Sequence, residues 1–332
     1  MINRYIYSIA VTLLFAGCSK EIEVKSPDFD VTVSGKNGTG GDSYSTADTL
    51  EFTFKGNPDF ITFYSGEVGR RYEYKDRLSA DGSPALQFST LRANGTQAGS
   101  LALMISADFK GVVLKPGSAV RDTAATNANI AAASWQDISD RAAFSAGSTV
   151  SSGAVDLSDF ADRNKPVFIA FKYTGNTGSI QNKWTITALS VTNALDDGTS
   201  YTIASLAALG TAIPNYGNTT YSPGWAVSYD PALNAGQYGW VFTAGTSLVI
   251  TGAATAAAAT SPAEAWAVMG PLDLKKVSPD LGVPVKSIAL KLEKYSYKYT
   301  SANNSRITFV ASNNSPDQSE RKVKELNITI KP

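Results

Sequence analysis

Histidine is absent from the 332 residues, and cysteine occurs once, at Cys18. Without histidine there is no Ser-His-Asp or Cys-His triad, no HExxH zinc site and no imidazole general base. A single cysteine excludes intrachain disulfides and the multi-cysteine zinc and iron–sulfur sites. Charge is also scarce: 17% of residues are charged, and 29 Lys plus Arg balance 29 Asp plus Glu. That balance speaks against a nucleic-acid partner, which needs clustered cations to displace counterions from phosphates. What remains is a chain with 43% hydrophobic residues, ordinary for core formation and long enough for two or three domains. No motif in it calls for a cofactor.

The first 23 residues read as an address. Arg4 supplies a basic start, and the apolar run Tyr5–Phe15 is of signal-peptide length, short of the roughly 20 residues that span a bilayer. Ala16 and Gly17 then precede the lone cysteine. Phe15-Ala16-Gly17-Cys18 resembles the bacterial lipobox, in which the cysteine is lipidated and becomes the first mature residue. The resemblance implies a signal peptide over 1–17 and a lipid on Cys18. The following Ser19-Lys20-Glu21-Ile22-Glu23 is similar to the signal that sends Bacteroidetes lipoproteins to the outer face of the outer membrane, so 18–23 is expected to be a surface tether. An acyl anchor gains about 0.8 kcal/mol per buried methylene, which makes attachment durable without a spanning helix.

Beyond the tether, period-two alternation dominates. Phe29, Val31 and Val33 alternate, as do Leu50, Phe52 and Phe54, then Ile61 and Phe63; near the end come Ile288, Leu290 and Leu292, then Tyr295, Tyr297 and Tyr299, Ile307 and Phe309, and Leu326, Ile328 and Ile330. Such runs, bounded by turn residues, predict half-buried antiparallel strands. The parity change between Leu292 and Tyr295 predicts a bulge or short turn near Glu293-Lys294. Val167–Phe171 is apolar on both faces and predicts a central strand covered on both sides. Trp184, Ile186 and Ala188 are expected on one face of the next strand, after a hairpin loop at Asn176–Asn182. The Ala-rich segments Ala124–Ala133 and Gly252–Ala259 are read as loops, because Thr, Asn and Gly interrupt them.

Several longer motifs carry a family resemblance. Phe63-Tyr64-Ser65-Gly66-Glu67-Val68-Gly69 with Tyr72-Glu73-Tyr74, then Met104–Phe109, Trp135–Arg141, Ser152–Phe160 and Pro166–Tyr173 followed by Trp184, resemble an uncharacterised Bacteroidetes lipoprotein family. The resemblance is expected to cover nearly the whole mature chain. It implies a neighbourhood: SusC-like transporter barrels and SusD-like lipoproteins that import glycans or peptides.

The expected fold is all-β. Neither 24–77 nor 272–332 has enough strands for a core, since an Ig-like sandwich needs about seven. The two segments are therefore expected to form one discontinuous Ig-like or PKD-like sandwich, with a jelly-roll sandwich of the galactose-binding-like kind over 80–270 inserted into it. Three domains in a row is the alternative.

Candidate chemistry is thin. Asp156, Asp159 and Asp162 stand at three-residue spacing and are either oxygen ligands for Ca²⁺ or an Asx turn with a helix cap. Asp137 and Asp140 before Arg141 read as a capped turn with an ion pair, and Arg70-Arg71 and Lys75 as a solvated hairpin tip. No carboxylate pair is singled out as a glycosidase pair, so the chain is expected not to be an enzyme. A ligand would be met by aromatics, since sugar rings stack on Trp and Tyr. The densest group is Tyr216, Tyr221, Trp225, Tyr229, Tyr238 and Trp240; for the two tryptophans the competing reading is the sandwich core. The functional expectation is a surface-exposed, lipid-anchored accessory or ligand-binding component of a SusC/SusD-type importer. A structural or adhesion lipoprotein is the alternative, and a carboxylate-dependent glycoside hydrolase a more distant one.

Overall fold

In the computed structural model the described residues are 23–36, 41–206 and 224–332. They are built of strands packed as β-sandwiches, with a ten-residue helix at Thr123–Ala132 and a single helical turn at Ser158–Ala161. No helix among the described residues is long and apolar enough to cross a membrane. The chain divides into two compact units: one from the N-terminal part up to Asp76 together with Pro279–Pro332, the other Arg77–Ser278.

The first unit pairs a three-stranded sheet with a five-stranded one. The former has the order Phe29–Gly35, Leu50–Gly56, Lys294–Tyr297; the latter runs Val283–Lys286, Phe60–Tyr64, Asn303–Asn314, Ser319–Lys331, Ser43–Ser45. Both sheets thus mix strands from the two ends of the chain. The inward residues of the alternating runs, Phe52, Phe63, Ile307, Phe309 and Ile328 among them, form one core. Tyr299 is buried there and donates its hydroxyl to the Ser65 carbonyl at 2.6 Å. Two expectations fail here. Ile288 and Leu290 are not strand residues but exposed residues of a turn-containing segment, because the chain must cross from the five-stranded to the three-stranded sheet between Lys286 and Lys294. Arg71 is no solvated tip either: its Nε sits 3.0 Å from the buried Asp280 carboxylate, and its guanidinium lies 4.5 Å from the Tyr74 ring centroid.

The second unit packs a five-stranded sheet against a seven-stranded one. The five-stranded order is Gly224–Ser228, Ala263–Leu272, Val167–Gly175, Leu101–Ser106, Gln136–Asp137. The other sheet centres on Lys183–Ala194 and Ser83–Ala93. Ile169 and Phe171 face the core between the sheets, whereas Phe168 and Ala170 face outward into a smaller cluster with Phe109, Val112 and Ile130. The central strand is therefore covered on both sides, as its composition predicts. Leu272 and Leu274 also lie in the inter-sheet core, so the second unit extends past residue 270.

Two local readings are corrected. Ala188 is exposed rather than in line with Trp184 and Ile186: it takes φ 50° at a register shift between Thr187 and Ser190, and Leu189 becomes the buried residue. Thr123–Ala132 is helix rather than loop. Asp122 caps it by accepting from the Ala125 N–H at 3.0 Å, and Thr126 and Ile130, four apart, are buried.

Candidate functional site

The outer face of the five-stranded sheet changes character along its strands. One cross-strand row, Ala226, Val268, Ala170 and Met104, is apolar, and the helix and Phe109 segment cover it. Two residues along each strand the row becomes Ser228, Trp266, Lys172 and Ala102. Side chains at i and i+2 share a face; Trp266 still belongs to the covered cluster, and the cover ends at the partly exposed Lys172.

These groups hold one another. Glu264 accepts the Trp266 indole N–H at 2.9 Å through Oε1, and its Oε2 lies 3.0 Å from Lys172 Nζ. Lys172 Nζ stands 5.1 Å from the Trp266 ring centroid. Trp135 packs at 5.2 Å on Trp266 and donates its indole N–H to the Ile130 carbonyl at 2.9 Å. Lys172 and Glu264 keep 30% and 27% of their side-chain surface exposed, so the pair sits at a wet rim.

The edge of the sheet borders this row. Gly224–Ser228 is the outermost strand, and an edge leaves carbonyls without ladder partners. Arg121 donates to the Val227 carbonyl, and Asn127 Nδ2 donates to the Tyr229 carbonyl at 2.7 Å. Asn127 Oδ1 in turn accepts from the Ser228 hydroxyl at 2.5 Å. Burial lowers the pKa of Arg121 from its ordinary value. Beside Asn127, the helix face of Thr123, Ala124 and Ala128 and the segment Asp230-Pro231 enclose a cavity of about 420 Å³, within the size range of small-ligand pockets. Trp266 and Ser228 are buried and Asn127 is engaged at both ends of its amide, so what this face leaves open is the half-buried Trp135 ring and the Lys172–Glu264 pair. The Glu264 carboxylate is engaged by Lys172 and Trp266.

The aromatic group singled out from sequence is dispersed. Trp225 and Trp240 are 1% and 4% exposed, in the core between the sheets, and are corrected from ligand contacts to core residues. Trp225 follows the parity of Val227, which faces that core, and not the parity of Ser228. Tyr229 and Tyr238 are half-buried and pack against the same core. Asn234 orders their loop, accepting from the Tyr238 N–H at 3.0 Å and donating to the Tyr238 and Glu264 carbonyls. Tyr216, Tyr221 and Cys18 lie outside the described residues.

The aspartate triplet resolves into turn chemistry. Asp156 Oδ1 accepts from the Ser158 N–H and hydroxyl at 2.9 and 2.6 Å, and the hydroxyl bond lowers its pKa. Asp159 receives both terminal nitrogens of Arg141, at 2.8 and 3.0 Å, and its pKa falls for that reason. Asp137 caps the Ser139 N–H, so the turn is as expected, but Arg141 pairs with Asp159 rather than with Asp137 or Asp140. Among the described residues no cluster of three or more acidic or cysteine side chains is arranged to hold a metal.

Fold and site together define an all-β protein of two sandwich units with a polar–aromatic face on one of them. Residues 17–211 match the model of the family described as a domain of unknown function (DUF5017), and the chain belongs to that family. The match stops short of the span expected from the motifs: it contains Trp135 and Lys172 but not Glu264 and Trp266. No curated protein and no solved structure matches the chain.

Proposed function

We propose that the protein is a lipid-anchored component of a Bacteroidetes outer-membrane importer of the SusC/SusD type, and that its second unit binds an oligosaccharide or oligopeptide. The signal-like start and the lipobox-like Phe15–Cys18 support the anchor. The observation that supports ligand binding is the half-buried Trp135 ring beside the partly exposed Lys172–Glu264 pair, with the Asn127 cavity at the sheet edge. Aromatic contacts dominate recognition energies, and here they stand where the apolar cover of the sheet ends.

Binding of labelled glycans and peptides to the mature protein tests the reading. Trp135→Ala is expected to weaken binding at least about tenfold, some 1.4 kcal/mol. Trp225→Phe, a conservative change in the core, should leave affinity unchanged. Equal affinity of Trp135→Ala and the native protein refutes the assignment of this face. The ligand class that binds decides between glycan and peptide cargo. Co-purification with a transporter barrel from detergent-solubilised membranes tests the assembly. Cys18→Ala should leave the precursor unprocessed and absent from the cell surface; normal maturation of that variant refutes the anchor.

A further inference from the structure

Residues 287–293 of the first unit cross from one sheet to the other and carry two aliphatic side chains in water, Ile288 at 66% and Leu290 at 71% exposure. A chain of hydrogen bonds fixes which end of the sandwich they occupy. The buried Lys286 ammonium donates to the carbonyls of Pro58, Asp59 and Ser287. The Asp59 N–H donates to Asn313 Oδ1 at 3.1 Å, and Asn313 Nδ2 donates to the Lys25 carbonyl at 3.0 Å. The Val24 N–H donates to Gln318 Oε1 at 3.2 Å. The exposed aliphatic pair therefore lies at the same end as residues 24 and 25, where the described chain begins.

We infer that this end of the first unit rests on the lipid bilayer and that Ile288 and Leu290 enter its interfacial layer. The inference rests on the reading of Cys18 as the lipid attachment point. Six residue steps separate Cys18 from Val24, and an extended chain spans at most about 3.6 Å per residue, so the tether reaches no further than about 22 Å. An anchor that short holds this end at the headgroups. Charge does not drive the contact: Lys25 and Lys55 are exposed there, but so are Asp28 and Asp317, and Lys291 is paired with Glu293 at 2.7 Å. The aliphatic pair does, since a partly inserted apolar patch beside a lipid chain supplies the second of the two signals that stable anchoring takes.

A single-thiol label tests the inference, because a lipidated Cys18 has no free thiol. Mature lipidated protein carrying Ala289→Cys with an environment-sensitive fluorophore is reconstituted on vesicles of phosphatidylethanolamine with a minority of phosphatidylglycerol. Ala47→Cys, on an exposed turn at the other end, is the control. The Ala289 label should emit to the blue of the Ala47 label and be quenched by brominated lipid chains. Adding Ile288→Ser and Leu290→Ser should abolish both effects. Protein that floats with the vesicles while its Ala289 label stays aqueous overturns the docking and leaves the anchor standing. Protein that does not float overturns both. A blue shift without lipid quenching means that a protein surface, such as a second copy, covers the pair, and overturns the bilayer as its occupant.

Discussion

Phe309 is where the two ends of the chain meet, and removing its ring should expose that dependence. The side chain is fully buried, 5.1 Å from Phe52, 5.2 Å from Phe54 and 5.0 Å from Phe63 between ring centroids. Phe→Ala in a core costs about 3–5 kcal/mol, and each aromatic pair contributes about 0.5–1.5 kcal/mol. With three such pairs, Phe309→Ala belongs at the upper end of the range, about 4–5 kcal/mol. A domain has about 5–15 kcal/mol in total, so the first unit is left marginal. At about 1.4 kcal/mol per decade, its opening constant should rise about a thousandfold or more. Hydrogen exchange reads this strand by strand. Protection should fall in Phe29–Gly35 and Leu50–Gly56, more than 250 residues away in sequence, and should hold in Val167–Gly175, whose side chains belong to other clusters. Loss confined to Asn303–Asn314 and Ser319–Lys331, with the N-terminal strands still protected, would refute a shared core.

Three further outcomes follow from individual contacts. Lys286→Met removes the ammonium that three backbone carbonyls share, and leaving a buried acceptor unpaired costs about 1–3 kcal/mol; a lower urea midpoint at unchanged slope is expected. Asp122→Ala deletes the cap of the helix at Thr123–Ala132 and should cost about 1 kcal/mol, read as loss of helix amide protection with the inter-sheet core intact. Asp108 has its pKa held below 3.8, first by the Ser106 hydroxyl and then by Ser134; a depressed carboxylate stabilises above the unfolded-state value and loses that contribution as pH falls through the folded one. Melting temperature should therefore decline below about pH 4, and Asp108→Asn should flatten that decline while lowering the melting temperature at pH 7.

Strand identity in this protein is largely written in alternation. Phe29-x-Val31, Leu50-x-Phe52-x-Phe54 and Leu326-x-Ile328-x-Ile330 place their apolar residues toward a core as the period of two demands. Ile288, Leu290 and Leu292 show the limit. Their spacing is that of a strand, but alternation carries no information about which sheet a segment joins, and this one leaves one sheet for the other. The helix at Thr123–Ala132 was hidden for a different reason. Its Ala and Asn content gives a weak stripe, and the informative residues are few: a capping Asp122, and Thr126 and Ile130 one turn apart. Ala188 illustrates a third case, in which one inserted residue reverses the parity of everything after it, so that Leu189 and Val191 continue the buried face begun by Trp184 and Ile186.

The candidate site was less legible, because the density of aromatic residues along a chain does not say which side of a sheet each one takes. Trp225 and Ser228 are three apart and face opposite ways; the tryptophan closes the inter-sheet core while the serine meets Asn127 on the outside. A strand such as Val167–Phe171, apolar at every position, conceals the parity further, since either set of residues could face inward. The first position to break the concealment is Lys172. It shares its face with Phe168 and Ala170, and a lysine there means that the cover over those two has ended. On the neighbouring strand the same reasoning applies to Glu264, two residues before Trp266. Only the register, which sets Lys172 opposite Trp266, joins the two signals into one surface. Trp135 arrives from a third segment, carried by the short strand Gln136–Asp137 against Ile105 and Met104. A site assembled from separate segments across about 140 residues has no local spacing to betray it, but Trp135, Lys172 and Glu264 bear the same mark: a charge or an indole at the point where an apolar face reaches water.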